Sequence, residues 1–344
     1  MSFAGAEIST QARDGLDGDG YVVADPEAEV VDSIHVSNVV PEHSYKVFGL
    51  LMDAEAERPL LTVDDENLAR DAEALTRETL ALLEGEGSVT VKDLEDLAAD
   101  YDGVLSAMVK AEAKVKPEGT SASVELSYGL DAGDLAGTKT VAFALLVDAK
   151  DGELIASEVD FGCEDQTCLI IPSEIGTTAT DKTDGDHELI ESARATIVDR
   201  VAYENLIPGK EYKLTGVLMD KETGKVLRVA DREVTATKTF VPNAAAGSVD
   251  VEFTFNAVGL AGKEIVVFES LEKDGREVAV HADIDDESQT VSVTEAPEGS
   301  PLAKTGHDTG VATMLMLLMA LFGGVIAQHY RREDGRASTV ADPE

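Results

Sequence analysis

The sequence contains no tryptophan, and only 5% of its 344 residues are aromatic. Flat rings on which sugars stack are therefore scarce, which disfavours a lectin. Basic residues are also few: 28 Lys and Arg stand against 68 Asp and Glu, a net charge of −40. Such a surface repels a phosphate backbone, so nucleic-acid binding is excluded. Cysteine is limited to Cys163 and Cys168, with no His close by, too few ligands for a structural zinc site. A small disulfide loop and two free thiols both fit that spacing. No other stretch calls for a metal or a cofactor. What the chain does have is length: 344 residues suffice for two or three ordinary domains.

Near the C-terminus the missing feature is charge. Thr309 to Gln328 carries no Asp, Glu, Lys or Arg, and its centre, Met314 to Phe322, is strongly apolar. A segment of that length crosses a bilayer as a helix. Arg331 and Arg332 follow, and the positive-inside rule then places residues 329–344 in the cytoplasm and everything upstream outside. Just before the span stands Ser300-Pro-Leu-Ala-Lys-Thr-Gly306. Its core, Leu302, Ala303, Lys304, Thr305 and Gly306, resembles the LPxTG signals read by sortases, in the LAxTG form of class E sortases. The resemblance implies cleavage between Thr305 and Gly306, joining Thr305 to peptidoglycan, with sortase and the membrane as partners and the cell wall as location. The acidic Glu333, Asp334 and Glu344 depart from that pattern. Met1-Ser-Phe-Ala-Gly-Ala lacks the basic and apolar regions of a secretory leader, so the expectation is either a fragment of a longer chain or a misplaced start.

The rest of the chain repeats itself. Ile8 to Asp53 lies over Ile175 to Asp220 without a gap at an offset of 167, matching Thr10 with Thr177, Asp32 with Asp199, Tyr45 with Tyr212 and Leu51-Met-Asp53 with Leu218-Met-Asp220. Ser123 to Phe143 then lies over Ser248 to Phe268 at an offset of 125, so the first copy carries 42 extra residues. Self-similarity of this length marks a duplicated unit. Within it, runs such as Ala195 to Tyr203 and Ser248 to Phe255 alternate apolar and polar residues, and Pro208-Gly209, Thr223-Gly224 and Asp274-Gly275 mark turns. That predicts a mainly β chain of two tandem Ig-like (CnaB-like) antiparallel sandwiches, at 1–171 and 172–295, then a linker at 296–308 and a transmembrane helix at 309–328. In the insertion, at about 63–112, Leu68, Ala72, Leu75, Thr79 and Leu82 recur at helical spacing, and Leu94, Leu97, Tyr101, Leu105 and Met108 do so again. Two amphipathic helices are expected there, capping an open edge or packing on the sandwich.

Alternation puts residues two apart on one face, so a polar residue in apolar phase points inward. Thr177 is in phase with Ile175 and Ala179, Asp199 with Ile197 and Val201, Glu269 with Val267 and Leu271, and Gln289 with Val291 and Val293. Two inward acids in one small domain need a shared explanation, because a buried lone carboxylate is costly. His281 lies eight positions before Gln289. With Ile175-x-Thr177-x-Ala179, Val198-Asp199, Asn205-Leu-Ile-Pro-Gly209, Gly216-Val-Leu-Met-Asp220, Gly259-Leu-Ala-Gly262, Val266-Val-Phe-Glu269 and His281-x-Asp283, the second copy resembles the T-Q ester-bond domain, or VaFE repeat, of Gram-positive surface adhesins. The resemblance implies a spontaneous internal ester between Thr177 and Gln289, with His281 shuttling a proton and Asp199 with Glu269 as an acid pair.

The first copy keeps Thr10, Asp32 and Gln166 but has Ala144 in place of Glu269 and Glu158 in place of His281. It is expected to fold alike and to crosslink slowly or not at all. The functional expectation is a wall-anchored adhesin stalk rather than an enzyme. The alternatives are a host-ligand site on the helical insertion, and a hydrolase using Thr177, His281 and Asp199.

Overall fold

The computed structural model describes residues 5–85 and 87–297. The sorting motif Leu302 to Gly306, the apolar segment 309–328 and the tail 329–344 lie outside them. Among the described residues no helix is long and apolar enough to cross a membrane.

Period-two sequences become strands throughout. The first copy runs β1 (Glu7–Asp14), β2 (Tyr21–Val23), β3 (Ala28–Ser37), β4 (Tyr45–Asp53) and β5 (Arg58–Pro59), then helices α1 (Glu66–Leu83), α2 (Val91–Ala98) and α3 (Val104–Ala107). It closes with β6 (Lys110–Val115), β7 (Ser121–Leu130), β8 (Lys139–Asp148), β9 (Leu154–Glu158) and β10 (Thr167–Ile171). The second copy runs β11 (Glu174–Asp181), β12 (Glu188–Ile190), β13 (Ala195–Glu204), β14 (Tyr212–Asp220), β15 (Lys225–Val226), β16 (Arg228–Val229) and β17 (Arg232–Glu233). It ends with β18 (Thr235–Phe240), β19 (Gly247–Phe255), β20 (Glu264–Lys273), β21 (Arg276–His281) and β22 (Thr290–Thr294).

Each copy is a sandwich of one small and one large sheet. In the first, β1-β3-β7 faces β2-β10-β8-β4-β5, with β6 added to β4 and β9 to β8; in the second, β11-β13-β19 faces β12-β22-β20-β14-β15, with β18 on β14 and β21 on β20. Along β3 and β13 alternate residues are buried, so each inner face supplies one layer of a core. The sandwiches are not wholly antiparallel as expected. β2 runs parallel to β10, and β12 parallel to β22. After β1 and after β11 the chain turns and crosses to the other sheet, where it lies beside the last strand in the same direction. First and last strands are thereby brought across one core.

The insertion occupies the place of a short hairpin. Leu60 and Val109 bond to Leu51 as Leu227 and Val234 bond to Leu218, and what joins the latter pair is only β16 and β17. α1 is started by Asp65, whose carboxylate accepts from the Asn67 and Leu68 amides, and α2 by a Thr90–Asp93 capping box. The second expected helix is broken: Gly103, at φ +83°, interrupts it between α2 and α3. Nor does the insertion reach 112, since Lys110 already pairs with β4. The helices bury Ala72, Leu75, Ala98, Val104 and Met108 together with Leu50. Leu75, Leu80 and Leu94 also help to line an apolar cavity of about 260 Å³ over Phe48, Met52 and Phe143 of the sheet's outer face.

Only Pro172 and Ser173 separate β10 from β11, and polar contacts fix the junction. The Ser173 hydroxyl donates to the Asn205 carbonyl at 3.1 Å and Asn205 Nδ2 to the Pro172 carbonyl at 2.9 Å. Lys273 Nζ lies 3.0 Å from Asp25 Oδ2, both side chains 3% exposed. Burial alone would depress that ammonium, yet Asp25 and Asp274 hold it above its ordinary value. Arg276 meets Asp131 at 3.1 Å on the rim. Removing one partner of a buried pair strands the other charge, whereas replacing both with apolar groups does not. Asp25→Ala leaves Lys273 only the exposed Asp274 and should therefore cost about 3 kcal/mol, the lower end for a broken buried pair, and Asp25→Leu with Lys273→Met much less. Chemical denaturation measures both, and equal losses would show that the pair does not lock the junction.

Candidate crosslinking site

Pairing on the small sheet sets Thr177 and Asp199 on one inner face: Ala179 stands opposite Asp199 and Thr177 opposite Val201, so the two polar residues are diagonal neighbours. On the large sheet Glu269 stands opposite Gly216. A Cβ on Gly216 would run into the Glu269 carboxyl and the Phe253 ring, so only glycine leaves room for the acid. Gln289 ends the 3-10 turn Glu287–Gln289 that leads into β22. Thr177 is 5% exposed, Glu269 1%, and Asp199 and Gln289 0%. The structure brings the key pair into direct contact: Gln289 Nε2 donates to Thr177 Oγ1 at 2.5 Å.

Burial pushes both acids upward. Desolvation raises Glu269 first and the charge of Asp199 beside it raises it further, so the two acids hold a proton as a pair. As two carboxylates none of their four oxygens would find a donor. A proton held by the pair supplies one donor among them. Gln289 Oε1 is likewise buried and without a partner, a free acceptor in the core that holds the acid proton.

His281 is less buried. It stands opposite Glu269 on β21, its Nδ1 accepts from the Thr177 backbone N–H at 3.1 Å, and its Nε2 faces Asp286 Oδ2 at 3.1 Å. Nδ1 therefore lies beside the residue whose hydroxyl meets the carboxamide. Two residues outside the sequence reading complete the site. Asp286 caps the Gln289 turn by accepting from the Ser288 amide at 2.7 Å. The Ser288 hydroxyl lies 3.1 Å from the Thr177 carbonyl oxygen. Burial would raise Asp286, but Ser288 and His281 hold it below the usual carboxylate range. The signal for these two was an Asp-x-Ser cap just before an inward Gln.

The first copy repeats the contact with different surroundings. Gln166 Nε2 donates to Thr10 Oγ1 at 2.5 Å. Ala144 stands opposite Gly49 and Glu158, as Glu269 stands opposite Gly216 and His281. Asp32 is fully buried, and desolvation raises it to about 7. Of the two cysteine alternatives, the disulfide is not the one found: Cys163 and Cys168 are free. Cys168 packs within the core on β10, while Cys163 precedes the 3-10 turn Glu164–Gln166, and burial pushes the Cys168 thiol to about 12. Among the described residues no group of three or more His, Cys, Asp and Glu is placed to hold a metal ion.

Two stacked sandwiches, each pressing a threonine of its first strand, half-buried in the first copy and buried in the second, against a buried glutamine before its last, define a protein class by fold and site together. Residues 6–169 and 173–293 match the T-Q ester bond containing domain, and the chain belongs to this family. No curated protein matches it. Among solved structures it is similar to a Mobiluncus mulieris adhesin containing intramolecular disulfide, isopeptide and ester bond cross-links, at 11% identity over 78% of this chain and 80% of that one, TM-score 0.30. It is also similar to the Streptococcus agalactiae AgI/II polypeptide BspA C-terminal domain, at 11% identity over 84% and 100%, TM-score 0.33. The Streptococcus pyogenes AspA C-terminal domain resembles it at 11% identity over 84% and 99%, TM-score 0.34.

The raised acids make stability depend on pH with a definite sign. A group raised on folding contributes stability that is full below its unfolded value, here 3.8 for Asp199 and 4.5 for Glu269, and lost as pH rises through the folded value. Asp32 acts in the same direction. The melting temperature should therefore fall between about pH 5 and pH 8, and Glu269→Gln should flatten part of that fall. Thermal scans at both pH values check this, and an unchanged slope in the variant would mean that Glu269 ionises normally.

Proposed function

We propose that this chain is part of a wall-anchored adhesin stalk whose second domain closes one intramolecular ester between Thr177 and Gln289, once and without turnover. The observation that carries the reading is the buried 2.5 Å contact between Thr177 Oγ1 and Gln289 Nε2. It sets hydroxyl and carboxamide together inside a core, where effective concentration offsets the slowness of attack on an amide. Thr177 Oγ bonds to Gln289 Cδ, the Cδ–Nε2 bond breaks, and the hydroxyl proton passes through His281 to the nitrogen, which leaves as ammonia. The protonated acid pair donates to the carboxamide oxygen as negative charge builds there.

Such a bond joins the domain's first strand to its last, so a pull on the two ends passes through it rather than through the hydrogen-bonded sheets. By restricting the unfolded chain it also stabilises the domain by roughly 4–5 kcal/mol. The hydrolase alternative is disfavoured because the core places Gln289 of the same chain against Thr177, leaving both reacting groups buried. Surface attachment is supported by the sorting motif at Leu302 to Gly306, ahead of an apolar segment and two arginines. A second reading, in which the helical insertion binds a host ligand, draws on the apolar cavity beneath α1 and α2. Loss of matrix-protein binding on deleting residues 63–112 would support it.

Intact mass should be lower than the sequence mass by one ammonia for the second domain, and digestion should yield a peptide joining Thr177 to Gln289. Thr177→Ala should remove that joined peptide and lower the second domain's melting temperature by roughly 15 °C or more. His281→Ala should slow the loss of ammonia while leaving the sandwich folded. An unjoined pair of peptides from the unaltered chain after days at neutral pH sinks the proposal. For anchoring, Thr305→Ala should shift the protein from the wall to the membrane fraction, and unchanged wall attachment would rule out the motif.

A further inference from the structure

The first domain lacks both the imidazole and the second acid, yet its core does not lack a second buried proton donor. Tyr128 on β7 occupies the position that Phe253 holds on β19. Gly49 and Gly216 are equivalent positions on β4 and β14. A Cβ on Gly216 would run into the Glu269 carboxyl, and a Cβ on Gly49 would run into the Tyr128 hydroxyl. The phenol oxygen thus takes the space above the glycine that the carboxyl takes in the second domain, reaching it from the opposite sheet. The exchange of Glu269 for Ala144 removes an acidic oxygen, and the exchange of Phe253 for Tyr128 returns one.

The surroundings of that oxygen match as well. β3 pairs Val30 with Tyr128 and Asp32 with Leu126, so Tyr128 and Asp32 are diagonal neighbours on one face. β1 pairs Ala12 with Asp32 and Thr10 with Ile34, which makes Thr10 the diagonal neighbour on Asp32's other side. Both Asp32 oxygens, Tyr128 Oη and Gln166 Oε1 are buried and without a hydrogen-bond partner, as are the oxygens of Asp199 and Glu269 and Gln289 Oε1 in the second domain. Burial, and then the charge of Asp32, keeps the phenol protonated.

We propose that Tyr128 replaces the second acid of this chemistry, and that with Asp32 it closes an ester between Thr10 and Gln166 in the first domain. The proposal rests on the ester reading of the second domain. Thr10 Oγ bonds to Gln166 Cδ and the Cδ–Nε2 bond breaks. Asp32 takes the hydroxyl proton and returns it to the nitrogen, which leaves as ammonia. Tyr128 keeps its proton and donates a hydrogen bond to the carboxamide oxygen as charge develops there. With no imidazole beside Thr10, the bond forms more slowly than its counterpart.

The test uses the whole chain carrying Thr177→Ala, in which the second bond cannot form, held for days at neutral pH and read by intact mass and peptide mapping. The expected result is loss of one ammonia and a peptide joining Thr10 to Gln166. Adding Tyr128→Phe, the residue that the second domain carries at this position, should preserve the fold and leave the full mass. Adding Tyr128→Phe with Ala144→Glu transplants the second domain's acid and should restore the joined peptide. A full mass in the Thr177→Ala chain overturns the proposal. So does a joined peptide that persists in Tyr128→Phe, or one that the Ala144→Glu exchange fails to restore. The Thr10→Ala chain, scored for the Thr177–Gln289 peptide alone, separates failure here from failure of the second-domain reading.

Discussion

A hydroxyl and a carboxamide held together in a dry core organise everything else in the second domain. Thr177 and Gln289 are both buried, so each needs a partner inside, and the hydroxyl and the amide nitrogen find each other. That single contact constrains the topology. The chain has to bring its first strand and the turn before its last strand to one core, which the crossover to a strand parallel with β22 accomplishes. It constrains composition too: Gly216 must lack a side chain for Glu269 to fit. Two acids can then share the core only by sharing a proton, which turns a costly burial into a hydrogen-bond donor directed within the core.

The duplication supplies a comparison within one molecule. Both domains keep the hydroxyl, the carboxamide and one acid, and both hold the pair at 2.5 Å. They differ in what surrounds the pair. In one, a second carboxyl and an imidazole lie next to it; in the other, a phenol takes the carboxyl's place and Cys163 stands at the cap position of Asp286. The geometry of the reacting pair is thus a property of the fold, while the means of moving protons varies between copies. The buried Lys273–Asp25 pair and the short linker keep the two copies in fixed register.

Much of this was legible in the sequence because it depends on period. Strand alternation marked Thr177, Asp199, Glu269 and Gln289 as inward, and the offsets of 167 and 125 paired the copies residue by residue. Alternation reports which face a residue takes, not which strand lies beside it, so the parallel β2–β10 and β12–β22 pairs stayed hidden. Tyr128 was invisible for a related reason. An inward tyrosine on a strand reads as core filling, and only its approach to Gly49 from the other sheet reveals where its oxygen lies. Asp286 and Ser288 belong to a loop without periodicity, where a cap acquires meaning only once the turn it closes is seen. The second helical run kept its spacing across Gly103, but spacing does not register a left-handed glycine.

A covalent tie between the ends of a sandwich changes how it bears load more than how it looks. Under tension applied at its two ends, an untied domain unravels strand by strand, while a tied one transmits force through the bond between Thr177 and Gln289. Single-molecule pulling of the chain measures this directly. The account predicts that residues 177 to 289 release no length at forces that unfold ordinary sandwiches. An extension step on the order of 390 Å, the span of those residues at about 3.5 Å each, would contradict it.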